Sequence, residues 1–237
     1  MKALILNSGV GSRMGEITKE SPKCMTDISP NETIISRQLN QLSNLGIKEV
    51  IMTTGPFEQV LKDYCEKLGL DIRITFINNP DYKNTNYIYS IYCAREHLND
   101  DILLMHGDIV CEETVLKNII NNDKSCVVVS SIMPKNTKDF KAVIEDDFVK
   151  KIGVEFKENV VASQPVYKLN KQDWMIWLNK IIEFCEEDNT TCYAENALNE
   201  VTNSCIIVPY DIKEKLCSEI DNSIDLSVVK KRLLELN

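Results

Sequence analysis

The amino-acid sequence predicts an α/β fold with a mixed, mainly parallel central sheet flanked by helices. Short apolar runs alternate with segments of helical period through the first half of the chain, at the spacing of βαβ units. After Pro134, closely spaced apolar runs predict an added layer of antiparallel strands. The 237 residues contain no repeat and no low-complexity linker, so we predict one domain with halves at 1–133 and 134–237.

The first predicted elements are marked by apolar runs and by the residues that end them. Lys2–Asn7 is a short apolar run that leads into a glycine-containing loop, which is the pattern of a buried strand. Thr33–Leu45 places its isoleucines and leucines on one helical stripe, and Gly46 follows as a helix stop. Glu49–Thr54 is the next apolar run, and a Gly-Pro pair ends it.

The next elements continue the alternation of helix and strand. Phe57–Leu68 is predicted to be a helix that a glycine ends, and Asp71–Asn78 alternates apolar and polar residues as a strand does. Tyr87–Leu98 fits a helix, and Asp101–Met105 fits a buried strand. A helix at Glu113–Asn121 and a strand at Cys126–Ile132 complete the first half.

The second half is predicted to add an antiparallel layer with its own helices. The predicted antiparallel strands are Phe140–Glu145, Phe148–Val154 and Pro165–Leu169. A further strand is predicted at Cys205–Val208, and the predicted helices are Lys171–Glu186, Ala194–Glu200 and a C-terminal helix from Ser223.

Composition excludes several classes of protein. The net charge of −9 and the lack of a basic cluster argue against a nucleic-acid partner. No apolar run approaches the ~20 residues of a membrane span, so we expect a cytoplasmic protein with no membrane partner. The nine cysteines are irregularly spaced and are expected to be free thiols. Two histidines offer little material for a zinc site or a histidine-based triad.

A glycine-rich loop follows the first strand. Its residues are Gly9-Val10-Gly11-Ser12-Arg13, and Pro22-Lys23 adds a second cation near the same strand end. Closely spaced glycines let backbone N–H groups approach phosphates, although the same pattern also makes a simple tight turn. The dinucleotide fingerprint requires a third glycine where Met14 stands, and no Gly-Lys-Ser/Thr of a Walker loop occurs.

Two aspartates stand at positions suited to a metal ion. Asp108 ends the buried strand in His106-Gly107-Asp108, and Asp221 lies in Glu219-Ile220-Asp221-Asn222 before the last helix. Each aspartate on its own also fits a turn or a helix cap.

Together these motifs resemble the nucleotide-sugar pyrophosphorylase superfamily. The segment LILNSGVGSRMGEIT with PKCM is similar to its signature loop, LAAGxGxRLxPLT with PKxL. The resemblance implies a nucleotide-diphospho-sugar transferase-like, Rossmann-like fold, with nucleotide binding in the first half and acceptor binding in the second. It implies catalytic roles for Lys23, Arg13 and Asp108, and Mg²⁺ or Mn²⁺ on Asp108 and Asp221. The residues that it implies for nucleotide binding are Asn7, Ser8, Gly9, Gly11, Ser12, Arg13, Lys23, Asn86 and Ser90. Asn7-Ser8 and His106 depart from the family pattern.

The acceptor is suggested by further segments. The run from Asn84 to Tyr92 resembles the NNxxSLY element of cytidylyltransferases that act on small phosphorylated amines, and the run from Cys192 to Asn196 resembles an acceptor-side segment of those enzymes. An aromatic face and a carboxylate suit an ammonium group. The expected acceptor-binding residues are Tyr89, Lys141, Lys168, Tyr193 and Glu195. Core tyrosines, exposed strand lysines and a solvated helix-start glutamate are the alternative interpretations.

The resemblance therefore implies CTP and a small phosphorylated amino compound as partners. Phosphoglutamine is favoured, because Lys141 and Lys168 would suit its carboxylate, and a role in capsule or cell-surface polysaccharide modification is implied. Phosphocholine and 2-aminoethylphosphonate are alternatives. Rival classes are a metal-dependent glycosyltransferase of similar architecture, which usually carries Asp-x-Asp, and a nucleotide-binding domain without catalysis.

Overall fold

A nine-stranded mixed sheet forms the centre of the protein. The computed structural model describes residues 1–236, apart from the side chains of Ser12 and Ile17. Its strands are β1 (Lys2–Asn7), β2 (Asp27–Ser29), β3 (Glu32–Thr33), β4 (Glu49–Thr54), β5 (Arg73–Asn78), β6 (Ile102–His106), β7 (Ile109–Cys111), β8 (Cys126–Ser130), β9 (Lys141–Glu145), β10 (Phe148–Gly153), β11 (Val160–Leu169), β12 (Val208–Asp211) and β13 (Cys217–Glu219). Its α-helices are α1 (Ile34–Asn44), α2 (Glu58–Lys67), α3 (Tyr87–Ala94), α4 (Glu113–Ile120), α5 (Lys171–Glu186), α6 (Ala194–Val201) and α7 (Ser223–Leu236).

The strand order places β1 and β6 side by side in the middle of the sheet. The order is β10-β9-β11-β6-β1-β4-β5, with β8 beside β11 and β12 beside β8. β1 is parallel to β4 and β6, and β4 is parallel to β5, whereas β11 is antiparallel to β6, β8 and β9. The predicted mixed sheet with flanking helices is confirmed. In open α/β sheets, ligands bind beyond the carboxyl ends of the parallel strands.

Both faces of the sheet are buried, which explains why β1 reads as a continuous apolar run. Leu4 and Leu6 pack against a cluster that includes residues of α3, α5 and α6. Ala3 and Ile5 point to the opposite face and join residues of α1, α2 and α4. This double packing fixes the end of β1, from which the glycine-rich loop leaves.

A smaller ladder brings the chain before α7 to the end of β6. β7 and β13 pair antiparallel, with Glu219 opposite Ile109. The backbone N–H of Ile220 donates to the carbonyl oxygen of Asp108 at 3.0 Å. A third apolar cluster, which includes Val110, Ile220 and residues of α7, holds this ladder in place. Two segments distant in the sequence therefore meet beside Asp108.

The structure differs from the sequence prediction at the short and irregular elements. β2, β3, β7 and β13 were not predicted, because two or three residues carry no recognisable period. The strand expected at Cys205–Val208 lies further along, at Val208–Asp211. The helix expected at Tyr87–Leu98 ends at Ala94 and continues as a 3₁₀ turn. No helix was expected after the glycine-rich loop, but Ser12–Thr18 forms 3₁₀ turns with a kink at Gly15.

All nine cysteines are free thiols, as predicted. Within residues 1–236, none of the helices combines the length and the apolar character needed to cross a bilayer.

Candidate active site

A cleft of about 630 Å³ opens where β1 and β6 end. The glycine-rich loop forms one end of the cleft, and aromatic residues from both halves of the chain form the other. The predicted residues that the structure brings together here are Asn7, Ser8, Gly9, Gly11, Arg13, Lys23, Asn86, Ser90, Asp108, Tyr193 and Asp221. The side chain of Ser12 lies outside the described residues. The cleft also contains Asn79, Thr85, Tyr87, His106, Lys138, Phe140 and Glu219, which were not predicted to bind a ligand.

Gly11 lets the loop fold back against Lys23. Its φ of 68° lies in the left-handed region, where a side chain costs energy. A Cβ at this position would lie 3.1 Å from Cβ of Lys23 and 3.2 Å from Cγ2 of Thr18. The Thr18 hydroxyl donates to the Gly11 carbonyl oxygen at 2.9 Å and holds the turn. The loop thereby delivers Lys23 to the cleft.

Lys23 joins the two predicted metal-binding aspartates. Its Nζ lies 2.5 Å from Oδ2 of Asp108 and 2.9 Å from Oδ1 of Asp221. Arg13, whose side chain is 62% exposed, bonds the other Asp221 oxygen through Nη1 at 2.8 Å. Burial lowers the pKa of Lys23, but the two carboxylates outweigh burial and leave the pKa raised. Burial likewise opposes ionisation of Asp108, yet Lys23 and His106 leave the pKa of that carboxyl lowered.

The residues around Asp108 fit a divalent cation. One donor atom from each of His106, Asp108 and Glu219 lies within 4.8 Å of the others. Oδ1 of Asp108 and Nε2 of His106 are buried and have no hydrogen-bond partner among the described residues. Buried polar atoms are rarely left unpaired in folded proteins, so these two atoms are suited to a ligand. Carboxylate oxygens favour Mg²⁺ and Mn²⁺.

Glu219 orients His106. Nδ1 of His106 lies 3.3 Å from Oε1 of Glu219. Burial lowers the pKa of His106, but Glu219 and Asp108 outweigh it and leave the pKa raised. Burial raises the pKa of Glu219, and Asp108 adds to the rise. Glu219 was missed as a site residue, although it stands two positions before Asp221 in the segment that marked the metal site.

Asn7 and Ser8, which depart from the family pattern, are buried with polar atoms left over. Nδ2 of Asn7 and Oγ of Ser8 have no partner among the described residues. The side chain of Asn7 occupies the space beside Gly107, since a Cβ there would lie 1.6 Å from Oδ1 of Asn7. Gly55 makes similar room for the backbone of Ser8, whose carbonyl oxygen would lie 2.2 Å from a Cβ. The spare donors support a ligand at this end of the cleft.

Asn86 and Ser90 line the cleft but also have structural partners. The Asn86 side chain caps α3 by accepting from the Tyr87 backbone N–H at 2.8 Å. The amide of Asn79 donates to the Ser90 hydroxyl at 3.0 Å. Both residues therefore shape the wall through α3, and their contact with a nucleotide stays a prediction.

Three aromatic rings form the acceptor-side end of the cleft. The ring centroids of Phe140 and Tyr193 are 5.0 Å apart, and those of Tyr87 and Tyr193 are 5.9 Å apart. Tyr87 also meets His106 edge-on at 4.6 Å. Lys138 is exposed on the loop before Phe140 and lines the same end. Only Tyr193 of these aromatic residues was predicted to bind an acceptor.

Glu195 does not line the cleft, which corrects the expectation that it contacts the acceptor. Its side chain is 1% exposed and accepts hydrogen bonds from the hydroxyls of Tyr87 and Tyr167. The carboxylate therefore lies behind the Tyr87 ring. Tyr89 does not line the cleft either, and its ring stacks on Tyr92 with centroids 5.6 Å apart. It is removed from the acceptor-binding set.

Lys141 and Lys168 are also removed from the set of acceptor ligands. Both are buried, at 3% and 4% exposure. Nζ of Lys141 bonds three backbone carbonyls, and Nζ of Lys168 bonds the Asn122 carbonyl and the Asn170 side chain. The sequence suggested an acceptor ligand or an exposed strand lysine for each, and neither interpretation holds, because both ammonium groups turn inward. Neither ammonium group lines the cleft.

The first half of the chain matches a known family model. Residues 3–138 match the MobA-like NTP transferase domain.

Two curated relatives carry names that describe CMP or CTP chemistry. CMP-5'-(3-aminopropyl)phosphonate synthase of Streptomyces rubellomurinus is 30% identical over 131 residues, which is 55% of this chain and 21% of that protein. CTP:phosphoglutamine cytidylyltransferase of Campylobacter jejuni is 33% identical over 135 residues, which is 54% of this chain and 52% of that protein. The matches therefore span about half of these relatives' length or less.

A solved structure shows the same fold over nearly the whole chain. CTP:phosphocholine cytidylyltransferase from Streptococcus pneumoniae aligns with a TM-score of 0.80, covers 98% of each chain and is 21% identical.

Proposed function

This chain belongs to the MobA-like NTP transferase family, and we propose that it is a metal-dependent cytidylyltransferase that transfers CMP from CTP to a small phosphorylated amino compound. The observation that carries the proposal is the ion-pair centre at the end of the glycine-rich loop, where Lys23 bonds Asp108 and Asp221. The relatives' names support CTP as the nucleotide. Phosphoglutamine as the acceptor and a role in capsule or cell-surface polysaccharide modification are the finer parts of the proposal.

The nucleotide end of the cleft offers backbone and cationic groups to a triphosphate. Gly11, in the loop after β1, has a left-handed backbone conformation, which keeps the loop backbone close to Lys23. Asp108 and Asp221 would repel the negative charge of a triphosphate, and the positive charges of Arg13 and Lys23 offset this repulsion. The unpaired donors of Asn7 and Ser8 are available to the nucleotide at the same end.

The proposed reaction needs little proton transfer. An oxygen of the acceptor's phosphate attacks the α-phosphorus of CTP, the bond from the α-phosphorus to the bridging oxygen breaks, and pyrophosphate leaves. Positioning and charge neutralisation carry such a transfer, so neither a histidine base nor a cysteine nucleophile is required. The role of Lys23 is to hold the departing phosphates, and that of Arg13 is to balance their charge.

The residues around Asp108 would hold the divalent cation. Asp108 and Asp221 are the proposed ligands, and His106 with Glu219 lies beside Asp108. Bound there, Mg²⁺ or Mn²⁺ would supply positive charge next to the reacting phosphate. Asp221 forms ion pairs with Arg13 and Lys23. We propose that these two cations leave Asp221 and pair with the phosphates when substrate binds.

The acceptor end supports an ammonium group. Tyr87, Phe140 and Tyr193 present aromatic faces, which attract cations. Glu195 lies behind Tyr87 and Glu219 lies beside His106, so two carboxyl groups stand around this end. With Lys141 and Lys168 removed, we propose that Lys138 faces the carboxylate of phosphoglutamine. Phosphocholine and 2-aminoethylphosphonate carry no carboxylate and need no such partner; they are the alternative acceptors.

Pyrophosphate release tests this function. CTP, UTP, ATP and GTP are each combined with phosphoglutamine, phosphocholine, 2-aminoethylphosphonate, 3-aminopropylphosphonate and glucose 1-phosphate, with Mg²⁺ and with EDTA. The proposal predicts metal-dependent release with CTP and an amine-bearing acceptor. Release with UTP and glucose 1-phosphate would contradict the choice of substrates. CTP binding without release across the panel would instead favour a nucleotide-binding domain without catalysis.

A further inference from the structure

Lys141 places a buried ammonium group among backbone carbonyls. It is the first residue of β9 and is 3% exposed. Its Nζ lies 2.7 Å from the Asp139 carbonyl oxygen, 2.9 Å from that of Val154 and 3.5 Å from that of Thr137. Burying an ammonium group is costly unless hydrogen bonds to it are complete, so these bonds constrain the carbonyls that make them.

The constrained carbonyls belong to two segments that form the acceptor end of the cleft. Thr137 and Lys138 line the cleft on the loop before β9, and Phe140 follows them. Val154 lines it just after β10. Lys141 therefore links the two segments from behind, while the Phe140 ring packs edge-on against Tyr193 at 5.0 Å on the cleft side.

We propose that Lys141 is a positioning residue that sets the affinity for the acceptor by fixing the 137–140 loop against Val154. The inference rests on the proposed function only for the identity of the ligand. Lys141 does not touch the cleft. It acts through Lys138 and Phe140, whose places depend on the carbonyls that its ammonium group binds.

Lys168 offers a matched comparison. It is also a buried strand lysine, at 4% exposure, and its Nζ lies 2.7 Å from the Asn122 carbonyl oxygen and 2.5 Å from Oδ1 of Asn170. Neither of those partners lines the cleft. Replacing either lysine by methionine keeps a chain of similar length and removes a buried charge with its hydrogen bonds. The two variants differ in the segments that the ammonium group holds.

The first experiment measures the loop without catalysis. Limited digestion with trypsin reports on cleavage after Lys135 and Lys138, which are exposed in the loop. Loss of charged hydrogen bonds predicts that Lys141→Met speeds this cleavage by about tenfold or more, relative to Lys168→Met at equal fraction folded. Equal cleavage rates in the two variants would overturn the proposal, whatever reaction the protein catalyses.

The second experiment measures the acceptor directly. Lys141→Met is predicted to raise the KM for the acceptor about tenfold while changing the KM for CTP less than about twofold, because the glycine-rich loop is untouched. Lys168→Met should leave both constants near the wild-type values. A rise in both constants, or in neither, would overturn the proposed effect on the acceptor.

A conservative variant keeps the proposal testable if Lys141→Met fails to fold. Lys141→Arg retains the charge and the donors but changes their geometry. It is predicted to fall between wild type and Lys141→Met in both loop cleavage and acceptor KM. An Arg variant with wild-type cleavage but a raised acceptor KM would contradict the role of the loop. Failure of the proposed function would show as absent turnover, and the cleavage comparison would still decide whether Lys141 positions the loop.

Discussion

The ammonium group of Lys23 lies 2.5 Å from Oδ2 of Asp108. This ion pair connects the loop after β1 to the end of β6, and a second bond from Lys23 reaches Asp221. The ammonium group of Lys23 therefore lies beside the two carboxylates that we propose as metal ligands. Lys23 and a divalent cation are therefore expected to compete for the same two carboxylates when no nucleotide is bound.

Replacing Lys23 by methionine is predicted to strengthen metal binding and to lower turnover. Without the ammonium group, the carboxylates of Asp108 and Asp221 should bind Mn²⁺ more tightly in the nucleotide-free protein, as measured by electron paramagnetic resonance. Turnover should fall by roughly 10²- to 10³-fold, because a cation aimed at the phosphates is lost. Lys19→Met is the control, since Lys19 lies in the same loop but pairs with exposed Glu16. Weaker Mn²⁺ binding in Lys23→Met would contradict the competition.

Gly107→Ala is predicted to displace Asn7. A Cβ at position 107 would lie 1.6 Å from Oδ1 of Asn7, so the Asn7 side chain must move. We expect weaker CTP binding in calorimetry and a loss of about 1–3 kcal/mol in the free energy of unfolding. Gly153→Ala is the control, because the atoms that it meets belong to the exposed side chain of Glu155. Unchanged CTP affinity in Gly107→Ala would separate Asn7 from the nucleotide site.

The positions of Lys23 and Asp108 follow from local signals in the sequence. The glycine-rich loop and Asp108 each end a buried strand, and parallel strands bring their carboxyl ends together. Asp221 reaches them through the ladder between β7 and β13, which is too short to show a period. The resemblance to a known family therefore supplied Asp221, and its neighbour Glu219 was overlooked.

The acceptor residues were harder to predict, because side-chain direction depends on packing across the sheet. Lys141 and Lys168 have similar apolar neighbours in the sequence, and both ammonium groups turn to backbone carbonyls away from the cleft. The Glu195 side chain is buried, and Tyr87 lines the cleft in its place. The strand and helix patterns predicted neither the burial of these three side chains nor the partner that each polar atom finds.

Glu195→Gln is predicted to weaken the acceptor wall. The carboxylate accepts hydrogen bonds from the hydroxyls of both Tyr87 and Tyr167, whereas the amide nitrogen of a glutamine cannot accept a hydrogen bond from either hydroxyl. We expect a stability loss of about 1–3 kcal/mol and a raised acceptor KM with the CTP KM unchanged. Tyr167→Phe removes one donor from the side away from the cleft and is the control. An equal rise of acceptor KM in both variants would argue against a specific role for the Tyr87 side.

Stability is predicted to fall in alkaline solution. Burial raises the pKa values of Cys65, Cys185 and Cys205 from 9.0 to about 12 in the folded protein. Thiols of the unfolded chain ionise first, so their contribution is complete below about pH 9 and is lost as the pH rises toward 12. Urea unfolding between pH 7.5 and pH 10.5 measures this change. A free energy of unfolding that rises across this range would contradict the burial of these thiols.

The transfer of CMP is tested most directly by the fate of labelled phosphate in CTP. With CTP labelled at the α-phosphate, the predicted result is a product in which the label is joined to the amine-bearing acceptor, in equal amount to the pyrophosphate released. With CTP labelled at the γ-phosphate, all released label should be in pyrophosphate. Asp108→Asn should lose nearly all transfer while remaining folded, and Asp211→Asn, at a surface carboxylate bonded to Ser131, should retain it. Transfer of the γ-label to the acceptor, or full transfer by Asp108→Asn, would contradict the account.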